Sequence, residues 1–329
     1  MNVIKYEIDM LNVKAADAIL IRCFNEKNWE YIILIDAGNK SDGEIIKKHI
    51  KKYYKQNYID LAICTHPDND HIGGFDYLLD NIKIDEFWIH DPSKHISLSD
   101  VRNKISEASL TKSLKYITET LDNNVNIIDK IDRLEITRKE PFNGLKHHSL
   151  PIYVLGPSIE YYEELLKFFK DVDLLFEQEA IFEKSLLDDI SITALSETLD
   201  EEDDKSAENN SSAVFLFYPN DKKYLFAGDA GPLSLNKIIE KYSSYTQNLH
   251  WLKVPHHGSK KSLSSDLISH FSPKVSYISG NGKGKYPSQA VVNVLKKVGS
   301  DVYSTHKGGS KWHQVNSSPR DDYSTAIKL

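Results

Sequence analysis

Three short runs near the start of the chain, Lys5 to Asp9, Ala18 to Phe24 and Tyr31 to Asp36, are rich in Ile, Val and aromatic residues and are separated by polar stretches such as Asn25 to Asn28. Runs of this length predict strands, and their close succession predicts antiparallel pairing. A helix is expected from about Asp42 to Tyr54, where Ile45, Ile46 and Ile50 share helical spacing, followed by the continuously apolar strand Ile59 to Cys64. Phe87 to Ile89 reads as another strand. From about residue 93 to residue 208 the pattern turns helical, around Ser99 to Leu121 and Ser158 to Ser185, which predicts a mostly helical insertion. Its end, SETLDEEDDKSAENN, has almost no apolar side chains, so little burial offsets the entropy of ordering it, and a mobile acidic loop is expected. Strand and helix then alternate: strands at Ala213 to Tyr218, Lys223 to Ala227, Leu249 to Val254, Val275 to Ser279 and Asp301 to Tyr303, and helices at Leu233 to Tyr242, Ser264 to Phe271 and Ser288 to Val298. The expectation is one elaborated α/β domain over residues 1–329, interrupted by the insertion at about 93–208.

Composition narrows the class. With 40% hydrophobic and 27% charged residues, and only 15 Gly and 11 Pro, the chain can bury a core and is not collagen-like, coiled-coil or wholly disordered. No apolar run approaches the roughly 18 to 20 residues that span a bilayer, and MNVIKYEIDM lacks the basic and apolar regions of a signal peptide. A cytoplasmic protein with no membrane partner is expected. Cys23 and Cys64, both in strand-like runs, are expected to be buried thiols without chemistry. The net charge of −7 hides an asymmetry: Asp171 to Glu208 holds 14 acidic and 2 basic residues, whereas Lys253 to Lys311 holds 10 Lys against Asp266 and Asp301. Either stretch can be an incidental solvated face, but the acidic one could also contact a basic protein partner.

The chemistry concentrates in three loops that each follow a strand. Thr65-His66-Pro67-Asp68-Asn69-Asp70-His71-Ile72-Gly73-Gly74 offers four candidate ligands in six residues, His66, Asp68, Asp70 and His71. Imidazoles and carboxylates so spaced on one tight turn can serve two neighbouring cations. Asp229, in Ala227-Gly228-Asp229-Ala230-Gly231, offers a carboxylate that could bridge them. Val254-Pro255-His256-His257-Gly258-Ser259 brings two adjacent histidines, which rarely both serve packing.

These residues resemble the metallo-β-lactamase-fold hydrolases, and within them the branch related to the hydrolase domain of the competence protein ComEC. DMLNVKAADAILI resembles the opening strand motif, Ile35-Asp36-Ala37-Gly38 the next motif, and THPDNDHIGG the metal motif; Asn209 to Ser212, AGDAG, PHHGS and Thr305-His306-Lys307-Gly308-Gly309 resemble later signatures. The resemblance implies a four-layer αββα sandwich. It also implies His66 and Asp68 as ligands of one metal, Asp70, His71 and His257 as ligands of the other, and Asp229 as the bridge. His256 becomes a proton donor or phosphate contact and Asp36 a support for the ligands. Asp68 stands where many relatives carry histidine, which draws the site toward oxygen-loving ions, so Mn²⁺ or Mg²⁺ competes with Zn²⁺. Asn209 to Ser212 stand where other branches carry another histidine ligand, and Tyr286 replaces a histidine of a Gly-His-Pro step.

Two divalent cations sharing a water suit hydrolysis. The lysine-bearing loops PHHGSKKS, GNGKGKYPS and THKGGSK favour a phosphate-containing substrate, with Ser259, Lys283, Lys285 and Tyr286 beside it. The reading is a dinuclear metal phosphodiesterase, a nuclease on DNA or RNA. The alternatives are a small-molecule phosphoesterase, a small ester or lactone hydrolase whose lysines serve solubility, and a noncatalytic partner-binding module of the same fold.

Overall fold

The computed structural model describes residues 3–95, 124, 126–166, 169, 204, 206–282, 286–307, 309–315, 320 and 327–329. The three opening runs are β1 (Val3–Met10), β2 (Ala18–Asn25) and β3 (Glu30–Ala37), paired antiparallel as their short connections require. The chain then crosses through α1 (Asp42–His49), extended by a wider turn at Ile50–Tyr54, into β4 (Tyr58–Ile63), which lies parallel to β3. After β4 come α2 (Asn69–Ile72), α3 (Phe75–Asn81), the parallel strand β5 (Lys83–Trp88) and the short β6 (Thr137–Lys139). A late strand, β13 (Lys311–Val315), closes the other edge, giving a seven-stranded sheet in the order β13-β1-β2-β3-β4-β5-β6.

The second sheet has six strands in the order β12-β11-β10-β9-β8-β7: β7 (Ile152–Gly156), β8 (Val214–Phe217), β9 (Tyr224–Phe226), β10 (Trp251–Lys253), β11 (Val275–Ile278) and β12 (Asp301–Ser304). Strands β9 to β12 run parallel, joined by α6 (Pro232–Thr246), α7 (Ser265–Phe271) and α8 (Gln289–Lys297). Two shorter helices, α4 (Ile159–Leu166) and α5 (Ala207–Asn210), lie between β7 and β8 in the chain.

Side chains sort by strand parity. Ile33, Ile35, Leu61, Ile63 and Trp88 meet Phe215, Phe226 and Trp251 between the sheets. Their alternates Ile32, Leu34, Ala62 and Phe87 face α1 and α3, and Leu225, Leu252 and Ile278 face α6 to α8. A strand buried on both faces must be apolar at every position, which is why β4 reads as a continuous run. The result is the expected four-layer αββα sandwich. Cys23 and Cys64 are buried and unbridged.

The span 93–208 departs from its expected character. Residues 137–139 and 152–156 are strands of the two sheets, and Asp204 and Ala207–Asn210 are buried rather than forming the end of a mobile loop. Polar groups packed there have specific partners, which composition alone does not reveal. The helix expected at Ser99 to Leu121 lies outside the described residues, as does most of that expected at Ser158 to Ser185 beyond α4. No described helix is long and apolar enough to cross a membrane.

Candidate metal centre

Because β3, β4, β9 and β10 end at the same edge of the sandwich, the loops after them converge. Asp36, near the end of β3, sits at a left-handed φ of 54° and is buried. Its Oδ1 accepts the Thr65 backbone N–H at 2.8 Å, and its Oδ2 accepts the Thr65 hydroxyl and lies 2.8 Å from His71 Nδ1. With Nδ1 turned to Asp36, the His71 Nε2 points away from the support. The same edge holds His66, whose Nδ1 meets Thr65 Oγ1 at 3.1 Å.

The second sheet supplies the facing residues. Gly228 takes a φ of 51°, and a Cβ there would lie 2.9 Å from Ser212 and Thr65, so this turn needs glycine. Ser212 Oγ accepts the Asp229 N–H at 3.1 Å, which fixes the carboxylate that follows. His256 and His257 have φ of 45° and 51° and Gly258 follows at 76°, a left-handed turn that sends the two imidazoles in different directions. Such backbone costs about 1–3 kcal/mol per residue and persists where the surroundings hold it.

Two groups of donors result, each with its ligand atoms within 4.8 Å of one another: His66, His71 and Asp229, and Asp70, His71 and His257. His71 Nε2 lies 3.5 Å from Asp229 and 4.0 Å from Asp70, and His257 Nε2 lies 3.3 Å from Asp70 and 3.8 Å from Asp229. Asp68 Oδ2 stands 3.8 Å from His66 Nε2. The structure therefore gathers His66, Asp68, Asp70, His71, Asp229 and His257 at one place. His66 Nε2, His71 Nε2 and His257 Nδ1 are buried without a hydrogen-bond partner. An orphan of this kind costs about 1–3 kcal/mol, and one facing carboxylates at metal-ligand spacing fits a divalent cation.

The electrostatics agree. Burial, and then the neighbouring His71, bring the His66 imidazole down to about 4, leaving its nitrogen unprotonated at neutral pH. Burial would also depress His71, but the carboxylates of Asp229, Asp36 and Asp70 raise it well above the ordinary imidazole value. Burial opposes charge on Asp229 as well, yet His71, His257 and Lys253 hold its carboxyl well below the usual range. A cation in this position would take the place of those protons.

Two residues that the sequence reading did not single out complete the floor. Lys253, only 1% exposed, pairs with Asp17, donates to the Gly228 carbonyl at 2.8 Å and lies 3.5 Å from Asp229 Oδ1. Asp17 also accepts the Ser279 hydroxyl and approaches His71 Nδ1 at 3.8 Å and His257 Nδ1 at 4.0 Å. A lysine inside a strand buried on both faces was the available signal for Lys253.

His256 faces another way. Its Nδ1 lies 2.7 Å from Asp204 Oδ2 and 3.2 Å from Asn209 Nδ2, and its Nε2 lies 3.3 Å from the Tyr286 hydroxyl. Asn209 donates to Asp204 at 2.9 Å, and so lies beside His256 in the same cluster. Burial would lower His256, but Asp229 and Asp204 raise it. Burial, followed by the carboxylates of Asp229 and Asp204, pushes the Tyr286 phenol to about 12, while Ser259 hydrogen-bonds it. Lys283 and Lys285 lie outside the described residues.

Comparison with known proteins agrees with this architecture. Residues 12–283 match the family described as the Metallo-beta-lactamase superfamily. The ComE operon protein 3 of Bacillus subtilis (strain 168) is 25% identical over 323 residues, covering 92% of this chain and 32% of that protein, so the chain spans about a third of its relative's length. Among solved structures, a metallo-beta-lactamase from Thermotoga maritima aligns with a TM-score of 0.37 and 12% identity over 71% of this chain and 84% of the other. A long form RNase Z from yeast aligns with a TM-score of 0.40 and 13% identity over 92% of this chain and 37% of the other.

Proposed function

The chain belongs to the metallo-beta-lactamase superfamily, and from that premise we propose that it is a dinuclear metal-dependent phosphodiesterase acting on nucleic acid. One observation carries the reading: two adjacent donor groups (His66, His71 and Asp229; Asp70, His71 and His257) bring five candidate ligands together, and the Nε2 atoms of His66 and His71 are buried there with no hydrogen-bond partner. Asp17, Asp36, Asp68, Asp70 and Asp229 set five carboxylates against Lys253, the one buried lysine among the described residues, and such an excess of negative charge suits divalent cations.

In this reading His66 and Asp68 would hold one ion and Asp70, His71 and His257 the other, with the Asp229 carboxylate serving the pair. Zn²⁺ or Mn²⁺ is the expected metal, with Mg²⁺ the harder alternative given the three carboxylate ligands. Such a pair of ions brings the pKa of water toward neutrality and counters charge on the oxygens of an in-line displacement at phosphorus. The chain's own residues do the rest. Asp36 fixes the ring direction of His71, Lys253 lies against the Asp229 carboxylate, and Asp17 stands 4.0 Å behind His257 Nδ1. His256, with Asp204 behind it, delivers a proton from Nε2 to the leaving oxygen, and Tyr286 and Ser259 steer that ring and the substrate phosphate.

Elemental analysis, followed by turnover of single- and double-stranded DNA, RNA, cyclic dinucleotides and a chromogenic phosphodiester, tests the proposal. Metal-dependent cleavage of at least one polymeric phosphodiester is expected. Cleavage of only a lactone or carboxylic ester would overturn it.

A further inference from the structure

The basic stretch that stands out in the sequence lies near the C-terminus, but the structure draws attention to another. Residues 40–55 carry six lysines against Asp42 and Glu44, and α1 with its terminal turn displays them in order. Ser41, Lys48, Lys52 and Lys55 are exposed at intervals of seven, four and three residues, with exposed Lys51 next to Lys52, so they line one side of a rod about 20 Å long. The opposite face, Ile46, Ile50 and Tyr54, is buried against the first sheet.

An open groove lies at each end of this face. The one beside the metal motif, about 530 Å³, is lined by Asn39, Lys40, Ser41, Asn69 and Gly73. Its residues Asn69 and Gly73 belong to the loop that carries Asp68, Asp70 and His71, and Gly73 lets the Lys40 backbone come close: a Cβ there would lie 2.7 Å from the Lys40 backbone nitrogen and 2.5 Å from the Asn69 carbonyl oxygen. The groove at the far end, about 700 Å³, is lined by Lys51, Lys55, Gln56, Asn57, Tyr58 and Lys83. Neither groove is lined by a carboxylate. Lys48 and Lys83 are paired with Glu44 and Asp85, but Lys40, Lys51 and Lys55 form no ion pair among the described residues. Ammonium, carboxamide and hydroxyl groups without carboxylates suit a chain of phosphates. On a protein of net charge −7, such a row is a local exception.

We propose that the exposed face of α1 is a track for the backbone of a single nucleic-acid strand, running from Lys40, beside the loop of the metal motif, to a distal phosphate site at Lys51 and Lys55. The proposal rests on the phosphodiesterase reading and adds a path for the polymer beyond the scissile bond. At the 3.4 Å rise of one strand in a B-form helix, about 20 Å corresponds to roughly six phosphates.

Binding of fluorescent single-stranded oligonucleotides of three and twenty residues to the full chain in EDTA tests the track without relying on turnover. Metal content after reloading and melting temperature report the fold of each variant. Lys51→Glu with Lys55→Glu should weaken binding of the twenty-residue strand at least about 10-fold at low salt and make its log–log salt slope shallower by about 1.4, at about 0.7 per phosphate contact. The three-residue strand, too short to reach the distal groove, should lose little. Lys40→Glu should weaken both. Unchanged binding of the long strand, equal losses for both lengths, or loss only of binding to phosphatidylserine vesicles would overturn the track. If the wild type cleaves no phosphodiester but binds strands in this lysine-dependent way, the catalytic reading fails and the track stands. Cleavage combined with charge-insensitive binding fails the track alone.

Discussion

Asp9 on β1 and Asp36 on β3 are both buried carboxylates of the first sheet that hold a histidine, and they end in opposite conditions. Asp9 lies 3.0 Å from His49 Nε2, accepts the Tyr54 hydroxyl and takes Arg320 Nη1 at 3.0 Å on both oxygens, while the same guanidinium reaches Glu7 and stacks 5.0 Å from Tyr53. That network closes on itself. Asp36 instead binds Thr65 and the inner nitrogen of His71 and leaves the outer nitrogen facing Asp229 and Asp70 without a partner. Burial and pairing are common to both clusters. What separates a brace from a candidate site is the unfilled donor capacity directed at other carboxylates.

Five substitutions sharpen or break that contrast. The largest effect is expected at the shared carboxylate: Asp229→Ala should bring metal content to one ion or fewer and lower phosphodiester turnover by more than about 10⁴-fold. The metal-free variant should also melt below the wild type, since the buried Lys253 ammonium and the His71 and His257 imidazoles lose the carboxylate they hold ionised. Full occupancy and full turnover in a folded Asp229→Ala protein would remove Asp229 from the centre. Next come the adjacent histidines: His257→Ala should lose metal, whereas His256→Ala should retain it and lose about 10²- to 10⁴-fold in kcat. Equal metal loss in both would erase the division of labour.

The brace should respond in stability instead. Arg320→Met leaves Asp9 with only His49 and the Tyr54 hydroxyl and removes the guanidinium from Glu7, and breaking a buried pair costs up to about 3–5 kcal/mol, measurable by urea unfolding, with metal content per folded molecule unchanged. Acid acts on the same pair. Burial disfavours the charged Asp9, but His49 and Arg320 hold its carboxyl below the ordinary value. A group depressed in the folded state stabilises above its unfolded pKa, near 3.9, and that contribution is lost as pH falls through the folded value. Arg320→Met should therefore flatten the acid limb of the stability curve. The smallest effect is expected for Asp36→Asn, which should weaken metal binding about 10- to 100-fold in a competition titration and cost far less stability than Arg320→Met. The reverse ranking of these two variants would mean that the clusters play the same part.

Much of this contrast was legible in the sequence on one side only. THPDNDHIGG declares itself because His66, Asp68, Asp70 and His71 are neighbours, and spacing along one turn is a local property. PHHGS showed two histidines, but their different directions depend on a left-handed turn and on Asp204, Asn209 and Tyr286, which are remote in the chain. Asp17 and Lys253, 236 positions apart, meet only because β2 and β10 lie in facing sheets. Arg320 reaches Asp9 across 311 positions. Asp204 was hidden in an acidic run whose composition predicts mobility, and β13, with the sequence KWHQV, alternates too weakly to announce a strand. The strands β3 and β4, by contrast, are buried on both faces and read as apolar runs, so they were readable at once.

Metal stoichiometry tests the central claim most directly. Purified protein stripped with chelator, reloaded with Zn²⁺ or Mn²⁺ and analysed by elemental mass spectrometry after desalting should hold close to two ions per chain, and His257→Ala distinctly fewer. A folded wild type that retains no divalent ion at micromolar metal, or a stoichiometry untouched by both His257→Ala and Asp229→Ala, would contradict the account.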